Sequence, residues 1–284
     1  MLLRARNPVL GLVLGLGLAL VACQTPIIRR DLPLLMRDCV ETAGAGALSA
    51  CNEALSQSPA DSERALLLFR RASLLELEGA AEAALSDLDA ALILRPQAIS
   101  AYRLRSTVRA RLGLVDAALA DLREALRLAG DADVELLVWA SYALEQLGRI
   151  EDGLEAAARA LAIEPRNATA LNSRCWKRAL LRQALEQALA DCQLAVSLQP
   201  QESGAHDSLA LVFYQLGRHA EAIAAGTRAL QLDPASKAAA HSWFIRGLAR
   251  QALGDPSGAA ADHRQAQALD PGIAAYFRLY GVGR

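Results

Sequence analysis

Half of the chain's ten prolines share one phase of a repeat of about 34 residues: Pro96, Pro165, Pro200, Pro234 and Pro271, with Gly130 at the equivalent place of one more unit. Seventeen residues before these markers stand Gly79, Gly113, Gly148, Gln183, Gly217 and Gly254. A period of this length marks a supersecondary unit that cannot bury its apolar face alone and stacks on copies of itself. Glycine ends a first helix where φ must turn positive, and proline stops a second. Between them Ala84, Ala118, Gly153, Ala188 and Ala222 are small enough to let the two helices approach. Composition agrees: 53% of the residues are apolar and only 4% aromatic. Such Ala- and Leu-rich material builds thin helical layers and excludes an all-β fold.

The Gly and Pro phases resemble the tetratricopeptide repeat (TPR), a family of antiparallel helix pairs. The resemblance implies an all-α fold, an α-solenoid wound as a right-handed superhelix. Six repeats span 65–98, 99–132, 134–167, 169–202, 203–236 and 240–273, so the repeat domain is 65–273. Residues 30–64 read as a degenerate helical unit and 274–284 as a C-terminal capping helix, whose Phe277 and Tyr280 cover the last layer. Gln183 replaces the turn glycine of the fourth repeat amid Leu180, Leu181, Ala184 and Leu185, which predicts a distorted turn there. Inserted residues at Asp133, Ala168 and 237–239 are expected to change the stacking locally.

The first 22 residues carry two arginines and no acid, and their apolar run from Pro8 to Ala22 is shorter than the roughly 20 residues of a membrane span. Leu20-Val21-Ala22-Cys23 resembles the lipobox of bacterial lipoproteins, which implies a signal peptide at 1–22, cleavage before Cys23, acylation of the Cys23 thiol, and a tether over 23–29. An ordinary signal-peptidase site and an uncleaved anchor are the alternatives. Gln24, by the same resemblance, favours an outer-membrane location with the body facing the periplasm. Thirty basic against 31 acidic side chains leave no basic excess for nucleic acid.

Four cysteines remain beside Cys23, an even number suited to an exported chain. Three pairings are possible. Locality favours Cys39 with Cys51 in the degenerate unit and Cys175 with Cys192 in the fourth repeat, each closing a small loop worth about 3 kcal/mol in the chain-entropy model. His206, His219, His241 and His263 never stand three or four residues apart, so no His-based metal site is expected. Asp121, Asp191 and Asp262 recur at one place of the second helix and read as inter-helix or solvated polar contacts. No catalytic residue and no cofactor is expected.

In the TPR family the second, fifth, ninth and twelfth residues of each first helix line a concave groove. Carried onto this chain, those places give Phe69, Arg103, Tyr142, Asp207, Tyr214 and Phe244, with Trp176 or Lys177 according to how Ala168 shifts the register, and Trp139 beside them. The function expected is a non-catalytic, lipid-anchored periplasmic scaffold holding an envelope protein or peptide in that groove, similar to TPR lipoproteins that serve cell-wall hydrolases. An assembly factor of the pilotin or outer-membrane barrel kind is the alternative. An enzyme with its site near the fourth repeat is the rival from another class. Oligomeric state is left open. Mass spectrometry of the mature N-terminus is expected to find a diacylglycerol-modified Cys23; an unmodified Cys23 or an intact leader counts against the lipoprotein assignment.

Overall fold

The computed structural model describes residues 31–130 and 133–283; the leader, Cys23 and its tether lie outside them. Among the described residues there are fifteen α-helices and no strand. The degenerate unit is α1 (Leu32–Glu41) with α2 (Gly44–Ser56). Six antiparallel pairs follow: α3 (Asp61–Leu77) with α4 (Ala81–Leu94), α5 (Ile99–Arg111) with α6 (Val115–Ala129), and α7 (Val134–Gln146) with α8 (Ile150–Ile163). Then come α9 (Ala168–Leu181) with α10 (Leu185–Leu198), α11 (Ser203–Gln215) with α12 (His219–Leu232), and α13 (Ala239–Ala252) with α14 (Pro256–Leu269). The chain closes with α15 (Ile273–Leu279). No helix among the described residues is long and apolar enough to cross a membrane.

One turn recurs between the paired helices. Gly79, Gly113, Gly148, Gly217 and Gly254 all have φ between 71° and 81°. The amide after each donates to the carbonyl five residues back, as Ala80 does to Leu75 at 2.8 Å and Arg218 to Phe213 at 2.8 Å. Glycine occupies the left-handed place without the Cβ clash that other residues meet there.

The fourth pair corrects the expected register. α9 begins at Ala168, three residues after Pro165, because the Asn167 side chain accepts from the Ala170 amide and caps the helix there. Ala168 is therefore the first residue of the unit and no insertion. The turn bond shifts one residue earlier, from the Gln183 amide to the Arg178 carbonyl at 2.9 Å. Arg182 takes the left-handed place at φ 55°, and the extra residue is absorbed before Ala184, itself at φ 46°. Two non-glycine residues in that region each cost on the order of 1 kcal/mol or more. The Cys175–Cys192 disulfide ties the two helices on either side of this turn, with Cα atoms 5.6 Å apart. Cys39 and Cys51 bond in the same way across α1 and α2, at 4.8 Å.

Each pair is also clamped by charge. Arg71 grips Asp87, Arg105 grips Asp121, Arg174 grips Asp191 and Arg246 grips Asp262, each through Nε and Nη2 to the two carboxylate oxygens at 2.6–2.9 Å. A second arginine one turn on completes three of these: Arg109 on Asp121, Arg178 on Asp191 and Arg250 on Asp262. All four aspartates are buried. The recurrent Asp positions thus prove to be inter-helix contacts. The third and fifth pairs place Ala140 with Ala156 and Leu209 with Ala225 at the same two positions and pack there without charge.

Stacking is uneven along the array. Of the unit-to-unit seams, the one between α6 and α7 is the slightest, while α9, α11 and α13 lie closely side by side. At the slight seam Gly130 ends α6 with φ 74° and ψ 179°, where other units carry proline. Removing Asp121 leaves the largely buried Arg105 and Arg109 guanidinium groups with only the half-exposed Asp89 to share. Asp121→Ala is therefore expected to cost about 3–5 kcal/mol in urea unfolding followed by circular dichroism. Glu124→Ala, which removes only a surface partner of Arg127, is expected to leave the midpoint where it was.

Candidate functional site

The first helix of every pair faces inward, and its side chains differ sharply between the two halves of the array. In the N-terminal half they stand open. Phe69 on α3, Arg103 and Thr107 on α5 and Trp139 on α7 line a cleft of about 280 Å³. A neighbouring cleft of about 190 Å³ runs from Thr107 past Trp139 to Tyr142 and Gln146. The Arg103 guanidinium lies 5.1 Å from the Trp139 ring centre and within 3.8 Å of Glu135 on the rim. Tyr142 is 39% exposed. This surface combines aromatic faces with one partly exposed cation, the residue types that carry most binding energy at protein interfaces.

In the C-terminal half the chain covers its own concave face. α15 is laid against it, Phe277 stacking on Phe244 with ring centres 5.0 Å apart and meeting Trp176 edge-on at 6.1 Å. Tyr276 reaches back to α7, where its hydroxyl donates to Glu145 Oε1 at 2.8 Å. The Trp176 indole donates to the same oxygen at 2.8 Å, and Lys177 Nζ donates to Oε2 at 2.9 Å. Burial lowers the Lys177 pKa, opposed by Glu145, and burial raises that of Tyr276, reinforced by the Glu145 charge. The capping helix expected to cover only the last layer thus extends across the face as far as the third pair.

The expected groove residues divide accordingly. Phe69, Arg103, Trp139 and Tyr142 line the open clefts. Tyr214 is half-buried, its ring 5.5 Å from that of His219. Trp176 and Phe244 are buried beneath α15, which corrects their reading as open surface. Lys177 is corrected too. The shifted register gives the inward place to Trp176 and turns Lys177 into the core, fully buried, its stem passing Gly153, where an added Cβ would stand 2.8 Å from Lys177 Cε. Asp207 is buried, accepting from Ser242 Oγ at 2.7 Å, with His241 Nδ1 at 3.9 Å. Glu145, His241 and Tyr276 adjoin these residues and were not among those expected. Glu145 stands at the twelfth place of its unit, and that position alone assigns it to the concave face.

No group of three or more His, Cys, Asp or Glu side chains among the described residues is placed to hold a metal ion. Burial pushes the Asp207 carboxyl up to about 6, against the opposing pull of His241 and Ser242. A carboxyl whose folded pKa is raised contributes stability that is full below its unfolded pKa and is lost as pH rises through the folded one. Asp207→Asn is therefore expected to flatten the fall in stability between about pH 4 and pH 6, by up to about 3 kcal/mol. Denaturant midpoints measured across that range check it.

A model of the tetratricopeptide repeat matches residues 203–236, the α11–α12 unit. No curated protein sequence matches the chain. Among solved structures, a tetratricopeptide repeat protein from Parabacteroides merdae is 18% identical with a TM-score of 0.67, over 83% of this chain and 91% of that one. PilW, a widely conserved type IV pilus biogenesis factor, is 19% identical with a TM-score of 0.61, over 76% and 97%. YrrB, a TPR protein with an unusual peptide-binding site, is 21% identical with a TM-score of 0.50, over 69% and 98%. With the recurrent glycine turns, the antiparallel pairs and these likenesses, the chain has the α-solenoid fold of tetratricopeptide-repeat proteins, with one repeat of that family matched at 203–236.

Proposed function

We propose that the chain is a non-catalytic scaffold that holds a segment of another protein on the N-terminal half of its concave face. The observation that carries this is the open pair of clefts around Trp139, where Phe69, Arg103, Thr107 and Tyr142 converge from three successive inner helices. Aromatic side chains there offer large contact area at low entropic cost, and Arg103 adds a charge that can pair with a carboxylate of the bound segment. The unusual peptide-binding site of YrrB is a precedent for a peptide ligand on this fold.

The lipobox-like run ending at Cys23 supports a location for this scaffold. Acylated there, the chain is anchored to the outer membrane and faces the periplasm, and its partner is an envelope protein, in cell-wall maintenance by the closest reading. The second reading is an envelope assembly factor. It draws support from PilW, a pilus biogenesis factor that has this fold along nearly its whole length.

A photo-crosslinking residue at exposed Thr107 tests the site in the native envelope. The wild-type groove is expected to crosslink to a discrete protein, which mass spectrometry then identifies. Phe69→Ala with Trp139→Ala is expected to cut that product about tenfold or more while far-UV circular dichroism is unchanged. Full crosslinking by the double variant would overturn the assignment of the groove.

A further inference from the structure

The C-terminal half of the concave face already holds a helix, and the seat that holds it is built independently of it. α15 and its C-cap residue present Ile273, Tyr276, Phe277 and Tyr280 at the i, i+3, i+4 and i+7 spacing of a helix laid in a groove. Its other face, with Arg278 and Leu279, is exposed. Only Asp270, Pro271 and Gly272 join it to α14, and it is held by its side chains, with Ile273 and Phe277 fully buried. Seven residues are too few for a helix to persist alone in water, so the seat maintains its shape.

The seat has two parts. Trp176, His241 and Phe244 supply an aromatic wall, with His241 lying 5.4 Å from the Tyr276 ring and 5.7 Å from Phe277. Glu145 supplies a hydroxyl acceptor. Its carboxylate is fixed by the Trp176 indole on one oxygen and by the fully buried Lys177 ammonium on the other, at 2.8 and 2.9 Å. Lys177 is held in turn by Ser173 Oγ at 2.9 Å. None of these groups belongs to α15. When Tyr276 withdraws, Glu145 keeps its two donors and its position, and one site for an incoming hydroxyl comes free. A preorganised acceptor beside an aromatic wall selects for adjacent tyrosine and phenylalanine.

We propose that this seat is a receptor for a short helical segment carrying adjacent Tyr and Phe, occupied in cis by α15 and in trans by a segment of the same chemistry on a different protein. The proposal rests on the reading of the concave face as a binding surface and adds a second, self-occupied subsite to it. α15 acts there as a resident competitor. A partner that fills the seat gains contacts that α15 gives up, so the second half of the groove is available only to segments that match it.

A fluorescent peptide of residues 271–283 provides the probe, added to the full chain. The wild-type protein is expected to bind it weakly, because α15 holds the seat. Tyr276→Ala with Phe277→Ala is expected to bind it at least about tenfold more tightly, and a peptide with Phe at the Tyr276 place is expected to lose several-fold of that gain. Tyr276→Phe removes a single hydroxyl and covers the case in which the double variant does not fold; it is expected to raise peptide affinity several-fold. Peptide affinity equal to wild type in every folded variant would overturn the proposal. So would a wild-type dimer in sedimentation that Tyr276→Ala dissolves, because it makes a second copy the trans occupant. Crosslinking from Thr107 is read separately, so loss of the subsite and loss of the scaffold function are distinguishable.

Discussion

In four of the six pairs, the bidentate pairing of an inner-helix arginine with an aspartate on its partner helix sets how the inner helix is presented to the concave face. A fork of two parallel hydrogen bonds has little freedom in angle or distance, so each clamp fixes how one helix of a pair lies against the other. Such a device adds angular definition to Ala-rich helices, whose small side chains make close packing possible without specifying its angle. The clamps also reach between units: Arg71 extends to Asn52 on α2 and Arg246 to Thr227 on α12. Burying these ions is costly in itself, and apolar replacements of equal volume can match them in stability. The third and fifth pairs are an internal demonstration, holding the same architecture with Ala140 and Leu209 at the arginine position.

Where the third pair lacks the clamp, a different polar chain takes its place. Ser141 Oγ meets Ser173 Oγ at 2.8 Å, Ser173 accepts from Lys177, and Lys177 pairs with Glu145. This chain joins the third pair to the fourth and ends at the carboxylate that Tyr276 contacts. Lys177 is thereby a buried cation whose charge is met wholly inside the molecule. Arg103, by contrast, stands beside Trp139 in the open groove.

Local punctuation made much of the fold legible from sequence. Gly79 or Gly217 announces a left-handed turn because only the backbone at that residue decides it, and the proline phase places the helix ends. The fourth unit was misread because two local signals disagreed: Pro165 sets the start of α9, Gln183 seemed to set its end, and the cap at Asn167 decides in favour of the proline. The same displacement exchanged Trp176 and Lys177. The clamps were half visible, their aspartates recurring in phase, with Arg71, Arg105 and Arg246 each sixteen residues earlier. The covering of the C-terminal groove was invisible for a physical reason. A contact between Tyr276 and Glu145, 131 residues apart, leaves no period in the chain.

The two halves of the groove meet on one helix. α7 carries Trp139 and Tyr142 toward the open clefts and Glu145 toward α15, so a single rigid element is shared by the open site and the self-occupied one. Lys177 ties them closer still, because its ammonium pairs with Glu145 and also lies 5.2 Å from the Tyr142 ring centre. On the far side of α7 is the slight seam with α6. α7 and α8 pack on α9, and α9, α11 and α13 lie closely side by side, so α7 belongs by packing to the C-terminal body, which α1–α6 meet along the slight α6–α7 seam. A segment long enough to span both clefts and the seat of α15 would therefore cross α7 at the place where the array is least constrained by packing and most constrained by charge.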